Sequence, residues 1–380
     1  MDDMALHASL IGQQGSRAAL NTPVLVLDRE ALDRNIATMA ALAKARGVTL
    51  RPHAKTHKSV VIGRRQIAAG AVGLCCAKLG EAEALAEGGL GGLHITSPVV
   101  TPQAIARLIA LDAASDGLSV AVDDPGNVAA LGHAATAAGR VLGVFIDVDP
   151  GIHRTGVASA DTAVALAKAI ADQPGLSYRG VQYYCGLQQH IEKYEARRLA
   201  IEERTAYLTT VITALTEAGF APDIVTGGGT GTHAIDMDLG VFTELQVGSY
   251  VFMDRQYNDC DLTGDGTARF ETSLFVDASV VCASTPGMAT IDAGFKSLST
   301  DGGAPSIVDG APATAHFMFM GDEHAALIGP TADARLPIGR RVTLVVPHCD
   351  PTVNLYDFYH VVHDGTLVEI WPVSARGRAR

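Results

Sequence analysis

Leu118-Ser119-Val120-Ala121-Val122-Asp123, the Ala-rich stretch 125–138, and then Leu142-Gly143-Val144-Phe145-Ile146-Asp147-Val148 decide the fold. Two short apolar runs without polar alternation flank a segment of helical length. That pattern belongs to parallel strands buried on both faces and joined by a crossover helix. The unit repeats outward in both directions. Apolar runs at 49–55, 73–78, 93–96, 118–123, 142–148, 180–184, 223–227 and 244–250 alternate with helical stretches at 59–69, 81–88, 101–110, 125–138, 160–171 and 192–218. Eight repeats predict an α/β fold with a (β/α)8 TIM-type barrel rather than an open doubly wound sheet. One more apolar run, 23–28, and a helical stretch, 30–46, precede them.

Beyond Cys260 the texture changes. Segments 273–283, 288–293, 315–320, 341–346 and 366–371 are short, alternating and split by Gly and Pro, with no long Ala-rich helix between them. They predict a C-terminal antiparallel β domain. The expected organisation is a barrel domain over 22–260 and a β domain over 265–380, the latter joined by residues 1–21.

Composition narrows the function. The chain has 380 residues, 48% of them hydrophobic, with 41 acidic against 29 basic side chains and a net charge of −12. That leaves no basic field to attract nucleic acid or an anionic membrane. No apolar run approaches the roughly 18 residues of a spanning helix. The first residues lack the basic region of a signal peptide. Six cysteines without CxxC spacing make no disulfide or zinc framework. The expectation is a soluble, cytoplasmic protein acting on a small molecule.

Such barrels place their chemistry at the C-terminal ends of the strands. The first strand runs into Arg51-Pro52-His53-Ala54-Lys55-Thr56-His57-Lys58. Neighbouring positive charge and desolvation both lower an amine's pKa, as a Schiff-base lysine requires, so Lys55 is a candidate nucleophile; the alternative is a solvated loop. Gly227-Gly228-Gly229-Thr230-Gly231 and Gly248-Ser249-Tyr250 end the last two strands. Adjacent small, hydroxyl-bearing loops suit a phosphate. At the same face, Arg154 and His190 follow the fifth and sixth strands, and His190 is a candidate acid or base.

In the β domain, His348-Cys349-Asp350-Pro351-Thr352 ends an apolar run. On a strand His348 and Asp350 would share a face and offer a divalent ion two ligands with open positions. Cys349 offers a zinc pairing instead, and a plain Asp-Pro turn is the alternative to both. Lys296 and His324 read as interface groups first and substrate groups second.

Taken together, Arg51 to Lys58, Cys75-Cys76-Ala77-Lys78, the two glycine loops, Glu244-Leu245-Gln246-Val247, Asp322-Glu323-His324, His348 to Thr352 and Trp371-Pro372-Val373-Ser374-Ala375-Arg376-Gly377 resemble D-threonine aldolase. The resemblance runs from about Thr22 to the C-terminus. The wider family has the alanine-racemase-like fold and includes 3-hydroxy-D-aspartate aldolase and the metal-dependent D-serine and 3-hydroxyaspartate dehydratases. The resemblance implies pyridoxal 5'-phosphate carried by Lys55, with Arg154 near its phenolic oxygen and Tyr184 near its ring nitrogen. It also implies that Thr226, Gly228, Gly229, Thr230, Gly248, Ser249 and Tyr250 bind the cofactor. His348 and Asp350 would hold a divalent ion, manganese first and Mg2+, Co2+ or Zn2+ otherwise, with His190 acting beside the substrate, in a homodimer. The sequence departs from the aldolases at Cys185, where a histidine follows the tyrosine, and at His153, where a smaller residue is common.

The expected activity is retro-aldol cleavage of a D-configured β-hydroxy-α-amino acid to glycine and an aldehyde. The alternatives are 3-hydroxy-D-aspartate cleavage, with Lys296 or His360 as the added cation for the second carboxylate, and dehydration to ammonia and a keto acid. A non-catalytic cofactor carrier is disfavoured by the β domain.

Overall fold

The computed structural model describes residues 3–329 and 336–380. The apolar runs form the expected parallel strands: β2 (Thr49–Leu50), β3 (Leu74–Cys76), β4 (Leu93–Ile95), β5 (Ser119–Val122), β6 (Leu142–Val148), β7 (Leu176–Tyr183), β8 (Ile224–Gly227) and β9 (Glu244–Leu245). They lie in the order β2-β9-β8-β7-β6-β5-β4-β3. A parallel bridge from His53 to Cys75 joins the two ends and closes the ring. Crossover helices start where the sequence supplies caps. Thr101 and Asp124 each accept a hydrogen bond from a backbone N–H three residues on, and Pro102 and Pro125 fill first-turn positions whose N–H would be unpaired. Gly180 (φ +136°) lets β7 approach β8: an added Cβ would lie 1.9 Å from the Ile224 carbonyl oxygen.

The second sheet has nine strands. It contains β1 (Val24–Asp28), β10 (Leu274–Cys282), β11 (Met288–Ile291), β12 (Ser306–Asp309), β13 (His316–Phe319), β14 (Ala325–Ile328), β15 (Arg341–Val345), β16 (Phe358–His363) and β17 (Thr366–Pro372). All neighbours are antiparallel except β1 and β16. β1 departs from the expected organisation, which put residues 22–28 with the barrel. It pairs with β10 on one side and β16 on the other, because five successive apolar or capping residues, four of them fully buried, need two neighbours and the barrel ring is already closed. Residues before it follow: Arg17 makes a two-pronged ion pair with the fully buried Asp277, both contacts at 2.9 Å, and the Gly12 N–H donates to the Leu367 carbonyl. Among the described residues no helix is long and apolar enough to cross a membrane.

Helix Arg29–Arg46 leads from β1 to the barrel, so the chain crosses between the two sheets there and again near residue 260. The β-domain segment 348–350 is thereby brought over the mouth of the barrel.

Candidate active site

A cleft of about 510 Å³ opens at the C-terminal ends of the barrel strands, lined among others by His53, Lys55, Lys78, Arg154, Tyr184 and Gln246. Lys55 lies on a single 3-10 turn, Ala54–Thr56, that continues β2. Its Nζ donates to Asp350 Oδ2 at 2.6 Å. This overturns the expected pKa argument. The Asp350 charge holds the Lys55 amine above its ordinary value, against the opposing effect of burial. Two of the neighbours expected to lower it are engaged elsewhere: Lys58 with buried Glu81 at 3.0 Å, and His57 with Gln66. On Asp350, burial works to raise the carboxyl, but Lys55 and then His348 prevail and hold it well below the usual carboxylate range.

Behind Lys55 runs a buried chain of hydrogen bonds. Ser59 N–H donates to His57 Nδ1 (3.0 Å), so His57 carries its proton on Nε2 and donates to Gln66 Oε1 (3.1 Å). Gln66 Nε2 in turn donates to the Tyr250 hydroxyl (3.0 Å). Tyr250 N–H donates to Thr230 Oγ1 at 2.9 Å and ties the two glycine loops together. Tyr250, expected to line a phosphate, braces the loops with its N–H on Thr230 and its phenol facing Gln66. Gly228 is left-handed (φ +67°), and Gly231 N–H donates to Gln189 Oε1 at 3.0 Å. Gly248 faces Thr56: an added Cβ would lie 2.8 Å from the buried Thr56 Oγ1. Ser249 starts the next 3-10 turn, Ser249–Val251.

Arg154 and Tyr184 meet at the cleft, the guanidinium carbon 5.7 Å from the ring centroid. The Arg154 loop is held by aspartates at two strand ends. Asp149 Oδ1 accepts the N–H groups of Gly151, Ile152 and His153, and Asp123 Oδ2 accepts that of Gly156. Thr226 is buried below the floor, where its hydroxyl accepts from Gln246 Nε2 at 3.1 Å, so it reaches the cleft through Gln246. The sequence reading missed this floor: Gln246 also donates to Gln182, which donates to Asp147 and accepts from His94. Burial pushes the Asp147 carboxyl up to about 6. Polar residues inside apolar strands, at inward positions of a barrel, were the available signal.

The β-domain wall differs from the expected strand. Strand β15 stops at Val345, and Cys349–Val353 is a short helix with His348 at its N-cap position, where Asp254 Oδ2 accepts the Cys349 N–H at 2.8 Å. His348 and Asp350 therefore lie at the start of a helical turn and not in strand phase, near enough for the His348 charge to act on Asp350. Cys349 is fully buried, its thiol donates to Asp350 Oδ1 at 3.4 Å, and burial holds the thiol well above its ordinary value. His348 Nδ1 pairs with Asp301 at 2.7 Å, a partner the sequence reading also missed. Among the described residues no group of three or more His, Cys, Asp or Glu is placed to hold a metal ion; a cation here would rest on one imidazole and one carboxylate, with its other positions open.

His190 lies beyond the turn Gly186–Gln188, its ring 4.5 Å from that of Tyr257. Desolvation, then the charges of His348 and Lys55, bring its pKa down to about 4, so the ring is neutral at physiological pH. Three other candidates lie elsewhere. Lys296 is exposed and pairs with Glu323 at 2.6 Å, His324 follows it on the same β-domain loop pair, and His360 is buried against His7. Neither Lys296 nor His360 lines this cleft. Lys78 lines it and has no ion pair among the described residues.

Residues 27–256 match the family model described as alanine racemase, N-terminal domain, and residues 273–362 match a putative serine dehydratase domain. The chain is 39% identical to a D-threonine aldolase from Arthrobacter sp over 364 residues, 96% of this chain and 94% of that protein. It is 38% identical to a 3-hydroxy-D-aspartate aldolase from Paracoccus denitrificans (strain Pd 1222), covering 94% of this chain and 93% of that one. The crystal structure of a D-threonine aldolase from Filomicrobium marinum superposes with a TM-score of 0.90 at 38% identity, over 96% of this chain and 97% of that one. The chain therefore belongs to the alanine-racemase-like fold family, among the lyases that include the D-threonine and 3-hydroxy-D-aspartate aldolases.

Proposed function

We propose that the chain is a pyridoxal-phosphate- and divalent-metal-dependent D-threonine aldolase, cleaving β-hydroxy-D-amino acids to glycine and an aldehyde. The observation that carries this reading is the meeting of Lys55 and Asp350 across the cleft, which sets a cofactor lysine from the barrel against a metal-type donor pair from the β domain. We also divide the chain differently from the sequence expectation: a barrel beginning at the helix Arg29–Arg46, and a β domain that takes β1 and the residues before it.

The residues fit the cofactor. Lys55 opens into the cleft, and Gly228 and Gly248 leave a cradle there that side chains would fill: a Cβ on Gly248 would lie 2.8 Å from Thr56 Oγ1 and one on Gly228 2.5 Å from Asp236 Oδ2. Lys55 would carry the cofactor, Gly228, Gly229, Thr230, Gly248 and Ser249 would cradle its phosphate, and Arg154 and Tyr184 would flank its ring. The imidazole and carboxylate of His348 and Asp350 suit a borderline or hard divalent ion such as Mn2+. When bound, the cofactor supplies an electron sink for charge at Cα and the metal a charge that lowers the pKa of the β-hydroxyl.

The chain's own residues do the rest. His348 and Asp350 orient the hydroxyl end of the substrate toward His190. His190, neutral at physiological pH, takes the hydroxyl proton on its free ring nitrogen, and the electrons of that O–H bond drive cleavage of Cα–Cβ as the aldehyde leaves. Lys55 returns a proton to Cα, giving glycine.

A second reading, cleavage of 3-hydroxy-D-aspartate, is favoured by Lys78, a cation on the cleft wall that a second carboxylate could engage. Purified protein with pyridoxal phosphate and Mn2+, with and without EDTA, would be given D-threonine, D-serine and 3-hydroxy-D-aspartate. Glycine lost on chelation supports an aldolase, and the best substrate separates the two readings. Ammonia with a keto acid overturns both in favour of a dehydratase.

A further inference from the structure

The His348 ring is held from its far side. Its Nδ1 lies 2.7 Å from Asp301 Oδ2, and a carboxylate can only accept, so Nδ1 carries the proton and Nε2 keeps the lone pair. Nε2 itself makes no hydrogen bond among the described residues. Asp301 does not act alone. Two residues earlier, Ser299 grips the main chain of the same histidine: its Oγ donates to the His348 carbonyl at 3.1 Å and lies 3.2 Å from the His348 N–H, which donates to it. Ser299 N–H donates to Thr352 Oγ1 at 3.0 Å, and that hydroxyl donates back to the His348 carbonyl at 2.8 Å. The segment 299–301 thus fixes backbone and ring together.

The side chain of Asp301 is 56% exposed. A pair so open to water contributes little to folding stability. What the contact does determine is which ring nitrogen is free and where the ring points.

We infer that Asp301 is a positioning residue for the cation site. It fixes the tautomer and rotation of His348 so that Nε2 is the ligand, and its charge strengthens the imidazole as a donor. The inference rests on the reading of His348 and Asp350 as metal ligands.

The test is Mn2+ binding to the cofactor-loaded protein, by titration calorimetry and by the electron paramagnetic resonance signal of free Mn2+. Wild type, Asp301→Ala and Asp301→Asn are compared, with His348→Ala and Asp350→Ala as controls on the site. Asp301→Ala weakens Mn2+ binding roughly 10–100-fold while the cofactor absorbance is unchanged, and turnover recovers at saturating Mn2+. Asp301→Asn, which keeps an acceptor but not the charge, falls between. Unchanged affinity in Asp301→Ala, where His348→Ala weakens it, overturns the inference and leaves the site reading standing. Turnover that saturating Mn2+ does not restore overturns it too, since that marks a general structural role. If His348→Ala and Asp350→Ala bind Mn2+ like wild type, the metal reading itself fails and the inference with it.

Discussion

The two walls of the cleft are built by different means. The barrel wall places Lys55, Tyr184 and the glycine loops at the ends of strands whose register is set by neighbours on both sides. Behind it runs the buried chain Ser59–His57–Gln66–Tyr250–Thr230. The opposite wall has no strand under it. His348 and Asp350 stand at the start of a five-residue helix held by three side chains from two loops: Asp254 on the Cys349 N–H, Ser299 on the His348 backbone, and Asp301 on its ring. One wall is part of the scaffold, and the other is grafted onto it by hydrogen bonds. The two should therefore fail separately.

The largest effect belongs to the barrel wall. Lys55→Ala removes the amine that would carry the cofactor, and the expected result is a colourless protein with turnover down by more than about 10³-fold. The same change leaves the Asp350 carboxylate without its cation, so Mn2+ binding should persist or tighten. Loss of both together would erase the distinction between the walls.

His190→Ala tests the group between them. A positioned base contributes on the order of 10²–10⁴-fold, and cofactor absorbance and Mn2+ affinity should both survive its loss. With its pKa near 4, His190 stays neutral from physiological pH down to about 5, so the acid limb of kcat/KM should lie below that point. An acid limb near 6.5 that disappears in His190→Gln would contradict the assigned environment.

His348→Ala addresses the grafted wall. A metal's charge is worth several kcal/mol to such a step, so turnover should fall by about 10²-fold or more, to the level of the wild type in EDTA, with the cofactor still bound. A variant that still responds to added Mn2+ would place the ion elsewhere.

These walls also differ in how far the sequence reveals them. The barrel strands, the position of Lys55 and the glycine loops follow from local pattern, because strand ends in a closed parallel ring all open on one face. The state of Lys55 does not. Its amine looks surrounded by His53, His57 and Lys58 along the chain, yet the charge that governs it comes from Asp350, 295 residues away. The helical turn at 349–353 hides in the same way. Val342 to Val346 read as a strand that would continue, but Asp254 takes the Cys349 N–H and starts a helix there. β1 was misplaced because an apolar run states that it is buried and not which sheet buries it.

Lys78 sharpens the comparison from within the barrel wall. If the substrate carries a second carboxylate, Lys78→Ala should lower kcat/KM for 3-hydroxy-D-aspartate roughly 10- to 100-fold, as loss of a hydrogen bond to a charged group does, and change D-threonine cleavage little. Equal losses on both substrates would assign Lys78 to the site's general field and remove the argument for the dicarboxylate.

The smallest expected effect concerns acid stability. Burial lowers His57, His94, His190 and His233 in the barrel to about 4 and moves His53 in the same direction, whereas in the β domain His360 is the histidine held there. In the unfolded chain each returns to about 6.5. As pH falls below 6.5 the unfolded state takes up protons that the folded state does not, so the stabilisation is complete above about 6.5 and declines as pH falls toward 4. Between about pH 7 and pH 5.5 each fully buried group costs about 1 kcal/mol, and the barrel holds five lowered histidines against one in the β domain. Two signals separate the regions. Trp371, the single tryptophan, lies on β17 of the β domain, while the long helices belong to the barrel side. In urea titrations the far-ultraviolet dichroism midpoint should move down more than the fluorescence midpoint between those two pH values. His94→Gln should shrink the gap, because it removes a titrating group from beneath the cleft without touching either wall. Midpoints that move together in every variant would mean that β1, the helix after it and the Lys55–Asp350 contact join barrel and β domain into one cooperative unit.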